Sequence, residues 1–208
     1  MAIKIQEIFT QTIQGEGARS GWLSDFVRLY GCPVGCPWCD TGYGEVPEPG
    51  IGFFALDVND IVKQLPSPHI VVTGGEPLLQ DDSIALFKAL LAAGKLVSVE
   101  TSGTFLREIP RDVWVTFSPK DHVSRHYKSV SDFWGRSNEI KIVISDPGEF
   151  ELYADRVRPW IGKKPVSVQP CDRLGVSPKE AFLPVLEILK RYPGVRASVQ
   201  THKFIGVR

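Results

Sequence analysis

The residues of this sequence best suited to do chemistry are three cysteines that lie close together. Cys32, Cys36 and Cys39 have the spacing C-x3-C-x2-C and follow directly after an apolar segment. Cysteine thiolates are soft ligands for zinc and for iron-sulfur clusters, and both kinds of site usually take four ligands. Only three are local here. The spacing therefore predicts a [4Fe-4S] cluster that keeps one iron open to a further ligand.

The fourth cysteine, Cys171, leaves a second interpretation open. It follows a predicted strand and could reach the same edge of the sheet, where it would complete a zinc site. Zinc sites usually pair their cysteines in two C-x2-C-like arms, whereas Cys171 is isolated in the sequence. We therefore favour the cluster and expect Cys171 to be a small, partly buried residue beside it.

A glycine-rich segment, Thr73-Gly74-Gly75-Glu76-Pro77, follows another apolar run. Glycines let the backbone approach a ligand closely, and the Glu76 carboxylate can accept hydrogen bonds from an ammonium group. The same residues also predict an ordinary turn between a strand and a helix. The segment is thus a candidate ligand-binding turn.

The elements that must position these residues alternate apolar, β-branched runs with amphipathic stretches, which is typical of a parallel sheet covered by helices. The predicted strands are Phe26–Tyr30, Ile70–Thr73, Leu96–Glu100, Val113–Phe117, Glu139–Ile144, Val166–Gln169 and Arg196–Gln200. The predicted helices are Asp57–Leu65, Asp82–Ala93, Glu149–Val157 and Pro178–Tyr192. Gly94 is expected to end the second helix, and Ser177 with Pro178 to begin the fourth. The segment 43–52 is predicted to be a long loop.

Polar residues and glycines follow almost every predicted strand. In a parallel sheet these ends share one edge, where barrels and open α/β sheets place their active sites. A complete eight-stranded barrel usually needs about 250 residues. The 208 residues present therefore predict an α/β fold with a partial, TIM-like barrel of mostly parallel strands, formed as a single domain over residues 1–208.

Composition narrows the class of partner. Lys and Arg total 24, as do Asp and Glu, so no net charge draws the chain to nucleic acid or to an anionic membrane. No segment approaches the roughly 20 apolar residues of a membrane span, and residues 1–9 do not resemble a signal or transit peptide. We expect a cytoplasmic protein that binds a small molecule.

Together, the cysteine segment with Trp38 before its third cysteine and the segment 73–77 resemble the two signature motifs of the radical S-adenosylmethionine (SAM) superfamily. The resemblance implies a [4Fe-4S] cluster on Cys32, Cys36 and Cys39, with SAM chelating the open iron. It also implies that the backbone at the paired glycines and Glu76 bind the methionine amino group of SAM.

Further segments resemble one family of that superfamily, the 7-carboxy-7-deazaguanine synthases. They cover nearly the whole chain and are weakest at 43–68 and 122–137; the matching segments are Gln14–Gly17, Phe26–Leu29, Cys39–Thr41, Glu100–Thr104, Ser118–Lys120, Glu139–Lys141, Val168–Pro170 and Gln200–Lys203. The resemblance implies a lyase of queuosine and deazapurine biosynthesis. Its substrate would be 6-carboxy-5,6,7,8-tetrahydropterin, converted by radical ring contraction to 7-carboxy-7-deazaguanine with release of ammonia, SAM being regenerated.

The resemblance assigns roles to individual residues. SAM would contact Trp38, Cys39, Asp40, Gly74, Gly75, Glu76, Ser102, Ser118, Pro119, Lys120, Gln169, Pro170, Cys171 and Asp172. The substrate would contact Ile13, Gln14, Gly15, Glu16, Arg28, Thr73, His202 and Arg208. Thr41 would bind Mg2+ together with the substrate carboxylate. The family also implies a homodimer and an electron donor such as flavodoxin or ferredoxin.

Residue chemistry agrees with two of these assignments but leaves alternatives open. The guanidine-like edge of a pterin offers paired donors that Glu16, with Gln14, can accept, and the planar fork of Arg28 matches a carboxylate. Arg28 could instead pair with Asp25 at the surface, and His202 could be a solvated terminal residue.

Two other functions share parts of this pattern. A small activase that installs a glycyl radical on a partner protein would share the cysteine segment, but an extended partner groove would not require the segments 14–17 and 200–202. An iron-sulfur protein that only transfers electrons would have no use for the SAM motifs at 74–76 and 118–120.

Overall fold

A computed structural model describes residues 2–43, 52–124, 126–172 and 175–207. The strands are β1 Ala2–Ile13, β2 Leu23–Leu29, β3 Phe54–Asp57, β4 His69–Gly74, β5 Leu96–Thr101, β6 Trp114–Phe117, β7 Glu139–Ile144, β8 Val166–Pro170 and β9 Arg196–Ala197. The α-helices are α1 Val58–Lys63, α2 Ser83–Ala92, α3 Asp132–Arg136, α4 Pro147–Glu151, α5 Ala154–Val157, α6 Pro178–Arg191 and α7 Thr201–Ile205. In this part of the chain, no helix is long and apolar enough to cross a membrane.

The described strands form one nine-stranded sheet in the order β3-β1-β2-β4-β5-β6-β7-β8-β9. β1 is antiparallel to both β2 and β3, whereas every pair from β2 to β9 is parallel. Because the sheet begins at β3 and ends at β9, it curves without closing. The predicted α/β fold with a partial barrel is confirmed.

Apolar residues on the outward face of the strands form the core with the covering helices. Val72, Val99 and Ile142 are fully buried, as are Phe87 of α2 and Ile188 of α6. Side chains alternate along a strand, so the intervening residues point into the barrel. Several of these are polar, which leaves the barrel interior available for a polar site.

The floor of the barrel carries one such polar group. His69 is buried, and its two ring nitrogens lie 2.8 Å from Ser24 Oγ and 2.7 Å from Ser98 Oγ. Burial, followed by the charge of Arg19, lowers the pKa of His69 to about 4, so the ring stays neutral at physiological pH. Arg19 also donates to Ser98 Oγ at 3.0 Å. This network attaches the loop after β1 to the middle of the sheet.

Two of the predicted elements need correction, and one strand was not predicted. The predicted strand Arg196–Gln200 ends at Ala197, and the segment turns into α7 because residues 200–203 contact the loop after β1. The predicted helix Glu149–Val157 is divided into α4 and α5 at Tyr153, whose buried hydroxyl accepts a hydrogen bond from the backbone N–H of His122. β1 was not predicted, although buried Ile3 and Ile5 alternate with exposed residues along it.

The predicted ends of two helices are confirmed. Gly94 follows α2 with φ of +75°, and the backbone N–H of Lys95 closes the turn on the carbonyl of Leu90 at 3.0 Å. Ser177 caps α6, with Pro178 at the first helical position and Glu180 completing a capping box. Residues 44–51 of the predicted long loop lie outside the described residues.

We expect Ser177→Ala to destabilise the protein by roughly 1 kcal/mol, because the side-chain oxygen that caps α6 is lost. Thermal unfolding should then shift downwards by about 2–4 °C for a chain of this size. The matched control is Ser131→Ala, because Ser131 stands at the N-cap of α3 without a capping hydrogen bond from its side chain. Equal shifts in the two variants would contradict the role of the α6 cap.

Candidate active site

A cavity of about 420 Å³ opens at the carboxyl edge of the parallel strands. Most of the predicted site residues line it: Ile13, Gln14, Gly15, Glu16, Arg28, Cys32, Cys36, Trp38, Cys39, Asp40, Thr41, Thr73, Gly74, Gly75, Glu76, Ser102, Ser118, Lys120, Gln169, Pro170, Asp172 and His202. The structure therefore brings the two signature motifs and the N-terminal segment to one place.

Two of the predicted residues that the structure describes, Pro119 and Cys171, do not line this cavity. Pro119 is buried behind it. Cys171 is only 2% exposed, with its Sγ 3.9 Å from the carbonyl oxygen of Asp172. Burial of Cys171 is more complete than the sequence suggested. Arg208 lies outside the described residues.

The cysteine loop follows β2 and packs directly on the turn after β4. A side chain on Gly75 would have its Cβ only 2.0 Å from the carbonyl oxygen of Gly31, and one on Gly74 would lie 2.4 Å from the backbone of Leu29. Gly74 also has φ of +120°, which L side chains rarely adopt. The backbone N–H of Glu76 donates to the carbonyl of Gly31 at 2.9 Å. The paired glycines are therefore required for this close approach.

All three cysteines of the loop are half-buried and line the cavity. Burial raises the pKa of Cys32 to about 12, with a smaller contribution from the Glu76 carboxylate, and burial also raises the pKa of Cys36. Since only the thiolate binds metal, cluster assembly here must displace protons from these thiols. The neighbouring Lys120 offsets part of this cost at Cys36.

The three thiols fit an iron-sulfur cluster. Among the described residues, no group of three His, Cys, Asp or Glu side chains is arranged to hold a single metal ion. In a [4Fe-4S] cluster each cysteine binds a different iron, so its ligands need not converge on one point. When bound at this edge, the cluster would be held by Cys32, Cys36 and Cys39.

Trp38 connects the cysteine loop to the loop after β6. Its ring lies 5.6 Å from the ring of His122, centroid to centroid. His122 Nδ1 is in turn 2.7 Å from the hydroxyl of the buried Tyr153. These contacts support the cysteine loop from the side opposite β2.

The Glu76 carboxylate is buried and accepts four hydrogen bonds. Oε1 accepts from Thr101 Oγ1 at 2.7 Å and from the backbone N–H of Leu78 at 3.0 Å. Oε2 accepts from the backbone N–H and the hydroxyl of Ser102, at 2.8 and 2.6 Å. These four hydrogen bonds fix the position of the Glu76 carboxylate beside the cysteine loop, where it can accept a hydrogen bond from a ligand ammonium group.

A second carboxylate, Glu16, enters the cavity from the loop after β1. It forms a short ion pair with Lys141 of β7, and Gln200 Nε2 donates to its Oε1 at 2.7 Å. Burial alone would raise the pKa of Glu16, but the charge of Lys141 and hydrogen bonds from Lys141, Gln200 and Gln169 lower it to about 2. Glu16 is therefore ionised at physiological pH.

A third carboxylate, Glu100 of β5, enters the same cavity. Gln14 Nε2 donates to its Oε1 at 2.9 Å, and Thr73 Oγ1 donates to its Oε2 at 3.2 Å. Gln14, Thr73 and Glu100 all line the cavity. The side of the cavity away from Glu76 is consequently rich in carboxylates, which suits a ligand that presents several N–H donors.

Arg28 and Thr41 form the cationic wall of the cavity. Arg28 donates to Thr41 Oγ1 at 3.1 Å, pairs with Glu7 at 3.3 Å and stacks 5.5 Å from the Phe9 ring centroid. The alternative pairing with Asp25 is wrong, since Asp25 is buried and accepts hydrogen bonds from Gln11 and Ser67.

The short helix α7 closes the open side of the barrel. Thr201 donates its backbone N–H and its hydroxyl to the carbonyl of Gly15 at 2.9 and 3.0 Å. A Cβ on Gly15 would lie 1.9 Å from His202 Nδ1, so only glycine fits. Lys203 pairs with Asp172 at 2.6 Å and lies 3.8 Å from Asp40. His202 lines the cavity and is not a solvated terminal residue.

Sequence reasoning missed nine residues that line the cavity, and the four with charged or amide side chains matter most for ligand binding. Glu100, Lys141, Gln200 and Lys203 line the cavity, although they had been given no role. Each stands within a segment that carried the family resemblance; Glu100, Gln200 and Lys203 lie at or just beyond the end of a predicted strand, whereas Lys141 lies within one. For Glu100, Gln200 and Lys203, position at the shared carboxyl edge was the signal that could have identified them.

Comparisons with known proteins agree with this geometry. The radical SAM superfamily profile matches residues 26–129. A 7-carboxy-7-deazaguanine synthase of Methanospirillum hungatei is 34% identical, over 99% of this chain and 86% of its own length. A synthase of the same name from Escherichia coli strain K12 is 30% identical, with both chains covered in full. The crystal structure of QueE from Escherichia coli superposes with a TM-score of 0.80 at 29% identity, covering 97% of this chain and 95% of that one.

An open parallel barrel with three cysteines in the loop after an early strand, matched by the superfamily profile, defines a radical SAM enzyme. Its cofactors are a [4Fe-4S] cluster and SAM. The chain belongs to the 7-carboxy-7-deazaguanine synthase family, because full-length relatives of that name reach 34% identity. This membership does not favour the zinc site, the glycyl-radical activase or the electron-transfer protein.

We expect Cys36→Ala to abolish cluster binding and Cys171→Ala, the matched control, to retain it. Only the first three cysteines have the ligand spacing and line the cavity. Anaerobic reconstitution followed by iron and sulfide analysis should give about four of each per wild-type chain. Loss of the cluster from Cys171→Ala would contradict this assignment.

Proposed function

We propose that this protein converts 6-carboxy-5,6,7,8-tetrahydropterin to 7-carboxy-7-deazaguanine, with release of ammonia, in the biosynthesis of queuosine and related deazapurines. The observation that carries the proposal is one cavity in which the cysteine loop faces a carboxylate-rich wall beside an arginine. The cysteine loop suits a cofactor that initiates radical chemistry. The carboxylate-rich wall and the arginine suit a pterin that carries a carboxylate. When bound, the cluster and SAM supply the radical chemistry.

The SAM site is proposed at the end of the cavity next to the cysteine loop. Glu76, fixed by four hydrogen bonds, would accept the methionine ammonium of SAM, and Lys120 would pair with its carboxylate. Lys120 is held by the carbonyl and hydroxyl of Ser118 at 3.1 and 2.5 Å. Ser102, Gln169 and Asp172 line the same side and would meet the ribose and adenine. Glu76 and Gln169 are buried, which would help to exclude water from a reactive intermediate.

The substrate is proposed to lie between the loop after β1 and α7. The ionised Glu16 would accept the paired N–H donors of the pterin, with Gln14, Thr73 and His202 around the ring. Arg28 would bind the substrate carboxylate through its planar fork. This arrangement places the charge of the substrate at one wall and its donors at the other, so it fixes the orientation of the ring.

Mg2+ is proposed at Thr41, as the family resemblance implies. The Thr41 hydroxyl and the Asp40 carboxylate, 3.2 Å apart, are hard oxygens of the kind that Mg2+ prefers. Arg28 donates to the same hydroxyl, and its positive charge opposes a second cation. We infer that the ion binds appreciably only after the substrate carboxylate has neutralised this wall.

The remaining proposals concern the electron donor, the cellular location and the oligomeric state of the protein. A reduced electron donor such as flavodoxin or ferredoxin would supply the electron that the cluster needs, and the protein would act in the cytoplasm as a homodimer. The electron donor and the homodimer derive from the family resemblance, whereas the cytoplasmic location derives from the sequence composition and the character of residues 1–9.

Anaerobic assay of the reconstituted enzyme with SAM and carboxytetrahydropterin tests the function, with mass spectrometry of the product. We expect wild type to form 7-carboxy-7-deazaguanine. Glu16→Gln should weaken pterin binding by about 1.5–3 kcal/mol, because a charged hydrogen-bond acceptor is lost.

The matched control for Glu16→Gln is Glu187→Gln, on α6 and outside the cavity. SAM binding, measured by calorimetry, should be unchanged in both variants. If Glu16→Gln weakened SAM and pterin binding equally, Glu16 would have no specific role in binding the pterin.

Thr41→Val should lower Mg2+-supported turnover towards the metal-free rate, because it removes the hydroxyl but keeps the shape of the side chain. The decisive comparison is wild type against the variant, each with and without Mg2+. Thr10→Val, which also removes a hydroxyl, serves as the control because Thr10 is exposed on β1 and does not line the cavity. An undiminished Mg2+ response in Thr41→Val would show that the ion binds elsewhere.

A further inference from the structure

Lys141 occupies an unusual place for a cation, because it projects from the middle of the sheet into the barrel. It belongs to β7, where the neighbouring Ile140 and Ile142 are fully buried on the opposite face. Its own side chain is only 6% exposed, yet it lines the cavity beside Val143. A lysine so deeply buried requires compensating negative charge.

Three carboxylates provide that compensation. Glu16 forms the ion pair itself, and Glu100 and Glu139 lie close enough for their charges to act on the ammonium. Burial alone would lower the pKa of Lys141, but these carboxylates raise it above its usual range. Lys141 is thus permanently charged. Its ammonium group is therefore always a hydrogen-bond donor to the cavity.

Lys141 has more donors than its surroundings use. An ammonium group carries three N–H donors and no acceptor. Among the described residues, Glu16 is the one hydrogen-bond partner of Lys141 Nζ. Because the residue lines the cavity, its unused donors are available to a ligand that is bound to Glu16.

The two oxygens of Glu16 differ in their neighbours. Gln200 donates to Oε1, and Lys141 donates to Oε2. A pterin presents, in order along one edge, a 2-amino donor, the N3–H donor and the 4-oxo acceptor. If the carboxylate accepts both donors, only one of two orientations puts the 4-oxo oxygen on the Lys141 side. In that orientation Glu16 Oε2 accepts a hydrogen bond from N3–H of the pterin. The 4-oxo oxygen, which is next along the edge, then lies beside the ammonium group of Lys141.

We propose that Lys141 determines substrate orientation and specificity by fixing the Glu16 carboxylate and donating a hydrogen bond to the 4-oxo group of the pterin ring. The inference rests on the proposed function. Glu16 and Lys141 together would then recognise a ligand edge with two donors followed by an acceptor, which is the hydrogen-bonding pattern of a guanine-like ring. A ring with a weak acceptor at position 4 would leave a buried charged donor poorly paired, and such mismatches are costly.

The test compares two stable analogues that differ in one atom, 6-carboxypterin and its 4-thioxo counterpart. Both keep the 2-amino and N3–H donors, but sulfur is a much weaker acceptor than oxygen. Affinities are measured by anaerobic calorimetry on the SAM-bound holoenzyme. We expect wild type to prefer the oxo compound by roughly tenfold, which is what one hydrogen bond to a charged group contributes. Lys141→Met should reduce this ratio to about one, and Lys141→Arg should retain most of it.

Lys190→Met, at an exposed position on α6, is the matched control and should keep the wild-type ratio. SAM affinity, which should be equal in all variants, reports whether the barrel is intact. If Lys141→Met weakened both analogues but kept their ratio, Lys141 would only position Glu16 and the proposal would be wrong. If Lys141→Met lost SAM binding, the test would rest on the oxo-to-thioxo affinity ratios of wild type and of Lys141→Arg. A wild-type ratio of one would then overturn the proposal.

Turnover of carboxytetrahydropterin by wild type, measured alongside, separates this proposal from the proposed function. An active wild type with an unchanged ratio in Lys141→Met overturns only the role of Lys141. An inactive wild type that binds neither analogue overturns both.

Discussion

The ion pair between Glu16 and Lys141 is the interaction on which the end of the active site proposed to bind the substrate depends. It joins the loop after the first strand to the middle of the seventh, across the interior of a barrel that does not close. Removing one member of a buried pair leaves an unpaired charge, which is far more costly than losing a surface salt bridge. The loop is therefore held across the opening by electrostatics, although the strands there do not pair directly.

Neighbouring contacts reinforce this arrangement from both sides. The backbone N–H of Gly17 donates to Ser198 Oγ at 3.0 Å, and that of Ala18 donates to Glu139 at 2.9 Å. On the outer side, α7 closes over the same loop through Thr201 and Gly15. The end of the cavity proposed to bind the substrate, the substrate end, thus combines the loop after β1 and α7 with side chains of the central strands. The end proposed to bind SAM, the SAM end, is built from the loops that follow the central strands.

The two ends of the cavity are stabilised by different physical means. At the SAM end, glycines allow backbone segments to approach within van der Waals distance, and Glu76 is satisfied by hydrogen bonds from its own neighbourhood. At the substrate end, charged side chains compensate one another through pairs distant in sequence. A ligand at the SAM end contacts backbone that is already in place. A ligand at the substrate end contacts a balanced set of charges, and it binds only if its own charges and hydrogen-bonding groups complement them.

The sequence by itself determined the cysteine loop, the glycine turn after β4, six of the parallel strands and the position of the cavity at their carboxyl edge. These features are local, because ligand spacing, backbone freedom at glycine and β-branched runs act within a few residues. Tertiary structure alone decided the pairing of Glu16 with Lys141, the exclusion of Asp25 from Arg28 and the turn of residues 200–205 into α7. Each of these depends on which distant charges and carbonyls the fold brings together, and burial makes those partners obligatory.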